Sequence, residues 1–586
     1  MLRLVAFLLC SAIGVVPAWA ATYYVSKTAT NGYVVGADGN AGTTKGTAKA
    51  TISNAITTAA DGDTIVVNDG TYSNLDLGAS NYVDFNAKAI NFQPETAYGV
   101  ILNTDSASNI VMRFRNDNTT PLTVGKIILD CEKPSSPGTY IATGVQIDNP
   151  TNAVVHAFAG TKIGNCSTQN IADNAQRGTL TVDAIFFGKM KDGLQGSTAM
   201  ASAAAKTYTI TSLVLDDVIS TDTFASVAIS ATRSSVSANP FTFSVTSLTG
   251  SLTAPSSLGT TATGTLINIV GIFGASIEGV NATVNGASTT NSCYGINITN
   301  SALGAAAKAD NPLVRYNTVT MNCPAGYAII AGDSTIAYNV DYAQIYANTV
   351  YMPFYNGVST PHGIVLGRVA GGLAWGNTVY GGAVGYMTSI NQGGIITGNL
   401  AIGSYYAPLF SKGSGATTAP LLINNTVIMD DTLYGAKFGP YGCQGVAAQG
   451  ATNNAAATFA NNICAVRSGN DWKYAVVDAS QVATFDRSNY HSVPTLTSPW
   501  SYQGTTYTTV GLWNAAATVG DETSNNPLFV AESDYRLRAY STLRRAGKWT
   551  TIGCKDFRGR PCYQPIDVGA YQTSSGDPAP TRRLRE

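Results

Sequence analysis

An asparagine followed by a short apolar stretch returns at intervals through the second half of the chain. It stands at Asn317-Thr318-Val319, Asn348-Thr349-Val350, Asn377-Thr378-Val379, Asn399-Leu400-Ala401, Asn425-Thr426-Val427 and Asn462-Ile463-Cys464. The intervals are 31, 29, 22, 26 and 37 residues. Repeats of this size mean one unit stacked on the next, and strands this short, broken by Gly and Asn, read as a β-solenoid rather than a helical array. With one coil per interval, the repeated Asn side chains stack into a ladder along the axis while the Val and Ile beside them fill the interior.

The cysteines carry the same period. Leaving aside Cys10, eight remain, and in chain order they pair as Cys131 with Cys166, Cys293 with Cys323, Cys443 with Cys464 and Cys554 with Cys562. Coils lie about 4.8 Å apart, a separation that a disulfide tolerates. Spacings of 30 and 21 residues therefore predict bridges between neighbouring coils. No Cys-x-x-Cys occurs, so structural bridges are favoured over zinc.

Only 12% of the 586 residues are charged and the formal net charge is −1. Globular chains run nearer ~25% charged. Gly, Ala, Ser, Thr and Asn fill the gap, which argues against nucleic-acid binding and against a long helical bundle. At the start, Arg3, the apolar residues 4–16 and Ala18-Trp19-Ala20 have the form of a signal peptide cleaved after Ala20. The expectation is a secreted protein, extracellular or periplasmic, without a membrane span.

The two ends resemble secreted right-handed parallel β-helix proteins of the pectate-lyase-like superfamily. The likeness rests on Tyr23-Tyr24-Val25-Ser26, Gly39-Asn40-Ala41-Gly42-Thr43, Ala50-Thr51-Ile52, Gly62-Asp63-Thr64-Ile65-Val66-Val67 and Gly70-Thr71-Tyr72 at the start. At the other end it rests on Asn526-Pro527-Leu528-Phe529-Val530, Tyr535-Arg536-Leu537 and Asp567-Val568-Gly569-Ala570-Tyr571. The resemblance implies an all-β, single-stranded right-handed parallel β-helix. It also implies that Ile52, Ala55, Ile56 and Ala59, on one face of a short helix, cap its open N-terminal edge.

The expected organisation is a cap and first coil over 21–75, a β-helix over 76–465, C-terminal loops and a terminal module packing on the solenoid over 466–571, and a disordered tail over 572–586. The Ser/Thr/Ala/Gly-rich stretch 197–265 reads as irregular or expanded coils.

Fragments of a polygalacturonase-like pattern, Asn103-Thr104-Asp105, Asp216-Asp217 and Pro361-His362-Gly363, are too scattered to count. Hydrolysis asks for two facing carboxylates, whereas elimination from a uronate asks for a base, a cation at the carboxylate and an acid at the leaving oxygen. Residues 316–441 hold 13 of the 30 tyrosines. From this segment Lys412, His362, Arg368 and Tyr406 are the catalytic candidates, and Tyr355, Trp375, Tyr386 and Tyr405 the substrate-binding ones, because aromatic faces with polar tips suit a sugar chain. His156 and His491 read as structural. The cofactor is unknown; calcium is a candidate through Asp333 and Asp341, whose spacing fits no EF-hand loop. The expected activity is a polysaccharide lyase on an acidic glycan. The alternatives are a non-catalytic carbohydrate-binding adhesin or matrix protein, and a hydrolase or uronate epimerase on the same fold. The expected partner is a polysaccharide; oligomeric state is open.

Overall fold

The computed structural model describes residues 20–572 apart from 116–121, 149–154, 175–177, 199–205, 221–225, 234–240, 255–262, 287–291, 301–309, 333–339, 354–360, 390–392, 414–417, 431–442, 449–455, 469–471, 478–482, 498, 516–519, 532, 548–553 and 563–565. The signal segment, Tyr355 and Asp333 lie outside the described residues, as do the side chains of His156 and Lys412.

Each coil contributes one short strand to each of three parallel sheets. One coil runs through Leu313–Arg315 in sheet 1, Thr318–Asn322 in sheet 2 and Ala325–Ala331 in sheet 3. The next repeats it as Gln344–Tyr346, Thr349–Met352 and Pro361–Leu366, in register through Arg315 and Tyr346, Val319 and Val350, and Ile329 and Ile364. Side chains alternate in and out of the wall. Val319 and Met321 are fully buried, and Thr318, Thr320 and Asn322 between them are not. The interior is a continuous stack of Val, Ile, Leu and Phe. The fold is the right-handed parallel β-helix that the resemblance implied.

At its start, Ile52–Thr58 forms a short helix whose N-cap Thr51 accepts a hydrogen bond from Asn54 N at 3.2 Å. Its Ile52, Ala55 and Ile56 are buried against the first coil. That satisfies the helix's open donors and covers the solenoid's first edge.

The repeated asparagines line the corner between sheets 1 and 2. Asn317 Nδ2 donates to Asn348 Oδ1, Asn348 to Asn377 and Asn377 to Asn399, each at 2.9 Å; Asn399 to Asn425 and Asn425 to Asn462 follow at 3.1 Å. The same oxygens accept the backbone N–H of the preceding Asn. A buried amide is tolerated only when satisfied, and here each Asn satisfies the next coil's corner. The residue before each Asn, Tyr316, Ala347, Gly376, Gly398, Asn424 and Asn461 in turn, has a positive φ of 53–63°.

All four disulfides join the pairs suggested by chain order, as an oxidising environment allows. Cys293–Cys323 and Cys443–Cys464 join neighbouring coils, as their spacing predicts. The ladder partners of Cys464 in sheet 2 are Val427 and Tyr490, and those of Cys293 in sheet 3 are Gly264 and Gly326. Neither bridge links two ladder partners: each ties a strand residue, Cys293 or Cys464, to a buried cysteine at the corner before sheet 3, Cys323 or Cys443, on the adjacent coil.

Two boundaries differ. Parallel pairing continues beyond residue 465 through Ala475–Val477 to Trp500–Tyr502, because Phe485, Tyr490 and Trp513 keep filling the interior after the Asn repeat ends. Within 197–265 the described residues form paired parallel strands, among them Lys206–Ser220 and Phe241–Val245, with a register shift between Leu215 and Val218. Alternation of Thr with Tyr208, Ile210, Phe243 and Val245 is a strand pattern that small-residue composition conceals.

The chain's last part folds back on the outer face of sheet 2. Tyr535, Leu537, Leu543 and Val568 form a second buried cluster with Leu400, Ile402, Ile428 and Ile463. Backbone ties hold it to the corner: Gly569 N donates to Asn461 O at 2.7 Å and Ala570 N to Thr426 Oγ1 at 2.9 Å.

Candidate functional site

The residue two places before each repeated Asn is the last outward position of a sheet 1 strand. Down successive coils it reads Arg315, Tyr346, Trp375 and Thr397, and one coil earlier it is Glu278. Parallel pairing stacks these side chains along the axis, about 4.8 Å per coil.

They interact as a chain. Arg315 Nε donates to Glu278 Oε2 at 2.7 Å, and Arg315 Nη1 donates to the Tyr346 hydroxyl at 3.1 Å. Tyr346 and Glu278 together raise the guanidinium pKa above its usual value. The ring of Tyr346 stacks on Trp375, centroids 4.2 Å apart and planes 16° from parallel. Lys555, brought in by the C-terminal segment, holds its ammonium 3.7 Å from the centre of the Trp375 ring system, a cation–π distance. Tyr316 presents its edge to Tyr346 and is 61% exposed.

Beside this line, two residues earlier in each strand, Leu313, Gln344, Leu373, Ile395 and Leu421 make a second, largely apolar row. The result is a strip with aliphatic surface on one side and, on the other, an acid, a guanidinium and the phenol of Tyr346, which Trp375 backs from beneath. On sheet 2 nearby, Tyr351 and Tyr380 stack with centroids 4.9 Å apart.

The candidates named from sequence do not converge in this way. His362 begins a sheet 3 strand and stacks on Tyr327 at 5.0 Å, extending a column with Tyr294. Lys412 lies in Leu409–Gly413, paired with Ser389 and Ala447. Those two strands are two coils apart, about 10 Å along the axis, and the residues sit about 16 Å apart across the sheet. Arg368 occupies the turn after Pro361–Leu366, its carbonyl accepting from Val340 N at 2.9 Å. Tyr406 is half-buried with its ring edge-on to Phe410.

Two of the expected sugar platforms are wall and core residues. Tyr386 is fully buried, its hydroxyl 2.8 Å from Asn377 O and 3.0 Å from Leu400 O, and Tyr405 is 4% exposed. Neither offers a face to a polymer. Trp375 does join the strip, but at 6% exposure its faces are taken by Tyr346 and Lys555. Glu278, Arg315, Tyr346 and Lys555 were missed, although counting back two residues from Asn317 and Asn348 would have found Arg315 and Tyr346.

Among the described residues, no three His, Cys, Asp or Glu side chains converge to hold a metal. Asp341 lies in a short strand paired with Val369–Ala370, and its suggested calcium partner Asp333 is outside the described residues. No helix among the described residues is long and apolar enough to cross a membrane.

No family model matches the chain, and neither does any curated protein. Solved structures similar to it include XylC in complex with xylose, at 11% identity over 94% of this chain and 98% of that one, TM-score 0.28. A GH136 lacto-N-biosidase from Eubacterium ramulus has 11% identity over 73% and 67%, TM-score 0.30. Pectate lyase Pel9A has 13% identity over 95% and 98%, TM-score 0.24.

Proposed function

We propose that the protein acts on an extended polysaccharide laid along the sheet 1 strip, and that the reaction is β-elimination from a uronate-containing chain. One observation carries the reading: Arg315, Tyr346 and Trp375 form a continuous axial line of cation, phenol and stacked rings beside an apolar row. Sugar rings have apolar faces and polar rims, and such a strip meets both. In the elimination, Arg315 holds the uronate carboxylate. The step uses Tyr346 as its phenolate, which takes the proton from the adjacent carbon and returns it to the departing glycosidic oxygen as the C–O bond breaks and the C=C bond forms.

The resting Glu278–Arg315 ion pair favours a second reading, a glycan-binding protein without turnover. Absorbance of the unsaturated uronate product, measured with retention of the polymer, separates the two. The parent protein is expected to give a rising absorbance on an acidic polysaccharide. Tyr346→Phe should abolish the rise by a hundredfold or more yet keep the polymer bound, and Arg315→Ala should weaken both. Retention without new chain ends leaves the binding reading; full activity in both variants removes the site.

A further inference from the structure

The positive-φ corner position changes identity from coil to coil, and the change has a cause. It is Tyr316 and Ala347 on two coils, Gly376 and Gly398 on the next two, then Asn424 and Asn461. The two glycines are where residues 554–562 lie against the solenoid. A Cβ on Gly376 would sit 2.5 Å from Phe557 O, and one on Gly398 would sit 2.4 Å from Lys555 O. Thr397 Oγ1 donates to Lys555 O at 3.0 Å, fixing the same contact.

This segment is a tight hairpin closed by Cys554–Cys562 and the Lys555–Pro561 bridge. Buried Asp556 organises it, accepting from Arg558 N, Arg560 N and Arg560 Nε at 2.8–2.9 Å. Arg560 is thereby neutralised, and Arg558 lies near Asp534. Lys555 is the cation the hairpin delivers to Trp375. Among the described residues no carboxylate pairs with its ammonium. Burial lowers its pKa below the usual lysine value, a cost that an anion alongside would offset.

We propose that the docked hairpin is the selectivity element of the strip, and that Lys555 makes the sugar bound beside Trp375 an anionic one, carrying a carboxylate or a sulfate ester. The inference rests on the polysaccharide reading of the strip and adds the residue that sets its charge preference. In the resting strip Arg315 is paired with Glu278 and exchanges it for the carboxylate only in the reacting complex, so discrimination of charge on binding falls to the cation at the other end of the aromatic stack.

The test compares retention of polygalacturonate with its fully methyl-esterified form, and of dextran sulfate with dextran, for the parent, Lys555→Met and Lys555→Arg. The parent should prefer an anionic polymer over its neutral partner by tenfold or more. Lys555→Met should cut that ratio below threefold, and Lys555→Arg should restore it. Which pair shows the effect names the anion. Melting curves confirm that the variants fold. An undiminished ratio in Lys555→Met, or an equal loss for charged and neutral polymers, overturns the role of Lys555 and leaves the strip standing. A parent that retains none of the four polymers removes the strip and Lys555 together.

Discussion

Tyr346 and Tyr386 come from the same tyrosine-rich stretch, yet the wall of the solenoid runs between them. Tyr346 faces outward, hydrogen-bonded to Arg315 and stacked on Trp375. Tyr386 faces inward with no exposed surface, and burial pushes its phenol pKa well above the ordinary value. What separates them is strand parity, since a shift of one residue sends a side chain to the other face. Enrichment of a residue type therefore marks a region, and only register marks a site.

The largest effect follows directly. Tyr386→Ala should cost about 3–5 kcal/mol, as deletion of a large buried ring does, and chemical denaturation should show a much lower midpoint. Tyr346→Ala should change stability by under about 1 kcal/mol while weakening polymer retention tenfold. Equal losses of stability would mean that the outer ring is part of the core and the contrast is wrong.

The same contrast holds for amides. Asn377 donates to Ile345 O and Asn399 Oδ1 and accepts from Asn348 N and Nδ2. Asn377→Ala would leave several buried groups unpaired, a loss of about 3 kcal/mol. Gln344, exposed on the strip's apolar row, should tolerate Ala within about 0.5 kcal/mol. Thermal melts of both variants check this, and a mild effect at Asn377 would show that the ladder is decorative.

The ladder was also what the sequence displayed most clearly. Asn at 22–37-residue intervals predicts stacked coils because one buried amide must satisfy its neighbour, and the cysteine pairs agreed. The site was harder to see, for two reasons. Lys412, His362 and Arg368 stand out in the sequence as rare charges, but coil geometry puts His362 and Arg368 at opposite ends of one strand and Lys412 two coils further on. Lys555 lies 180 residues from Trp375 in sequence and reaches it only through a fold-back that two corner glycines admit. By contrast Arg315, Tyr346 and Trp375 share one offset from the repeat and were legible once the repeat was read as register.

Charge gives the smallest and most specific test of inside against outside. Glu278 lies on the strip, paired with Arg315, whereas Glu522 is 4% exposed beneath the last coils. Burial pushes the Glu522 carboxyl well above the usual 4.5, and Asp486 and Asp521 add to the shift. Near pH 4.5 and below, folded and unfolded chains both hold the proton, so the group's contribution to stability is fully present. As pH rises toward the folded-state value the unfolded chain releases the proton and the folded chain keeps it, so stability falls. Glu522→Gln fixes the neutral form. Parent and variant should melt together near pH 4 and separate progressively toward pH 9, the variant ahead by about 1–3 kcal/mol. Glu278→Gln removes only an exposed ion pair worth about 0–1 kcal/mol, so any gap should favour the parent. A Glu522→Gln gap that stays flat from pH 4 to pH 9 would mean that the carboxyl is already solvated, and that the interior of the solenoid admits water at this end.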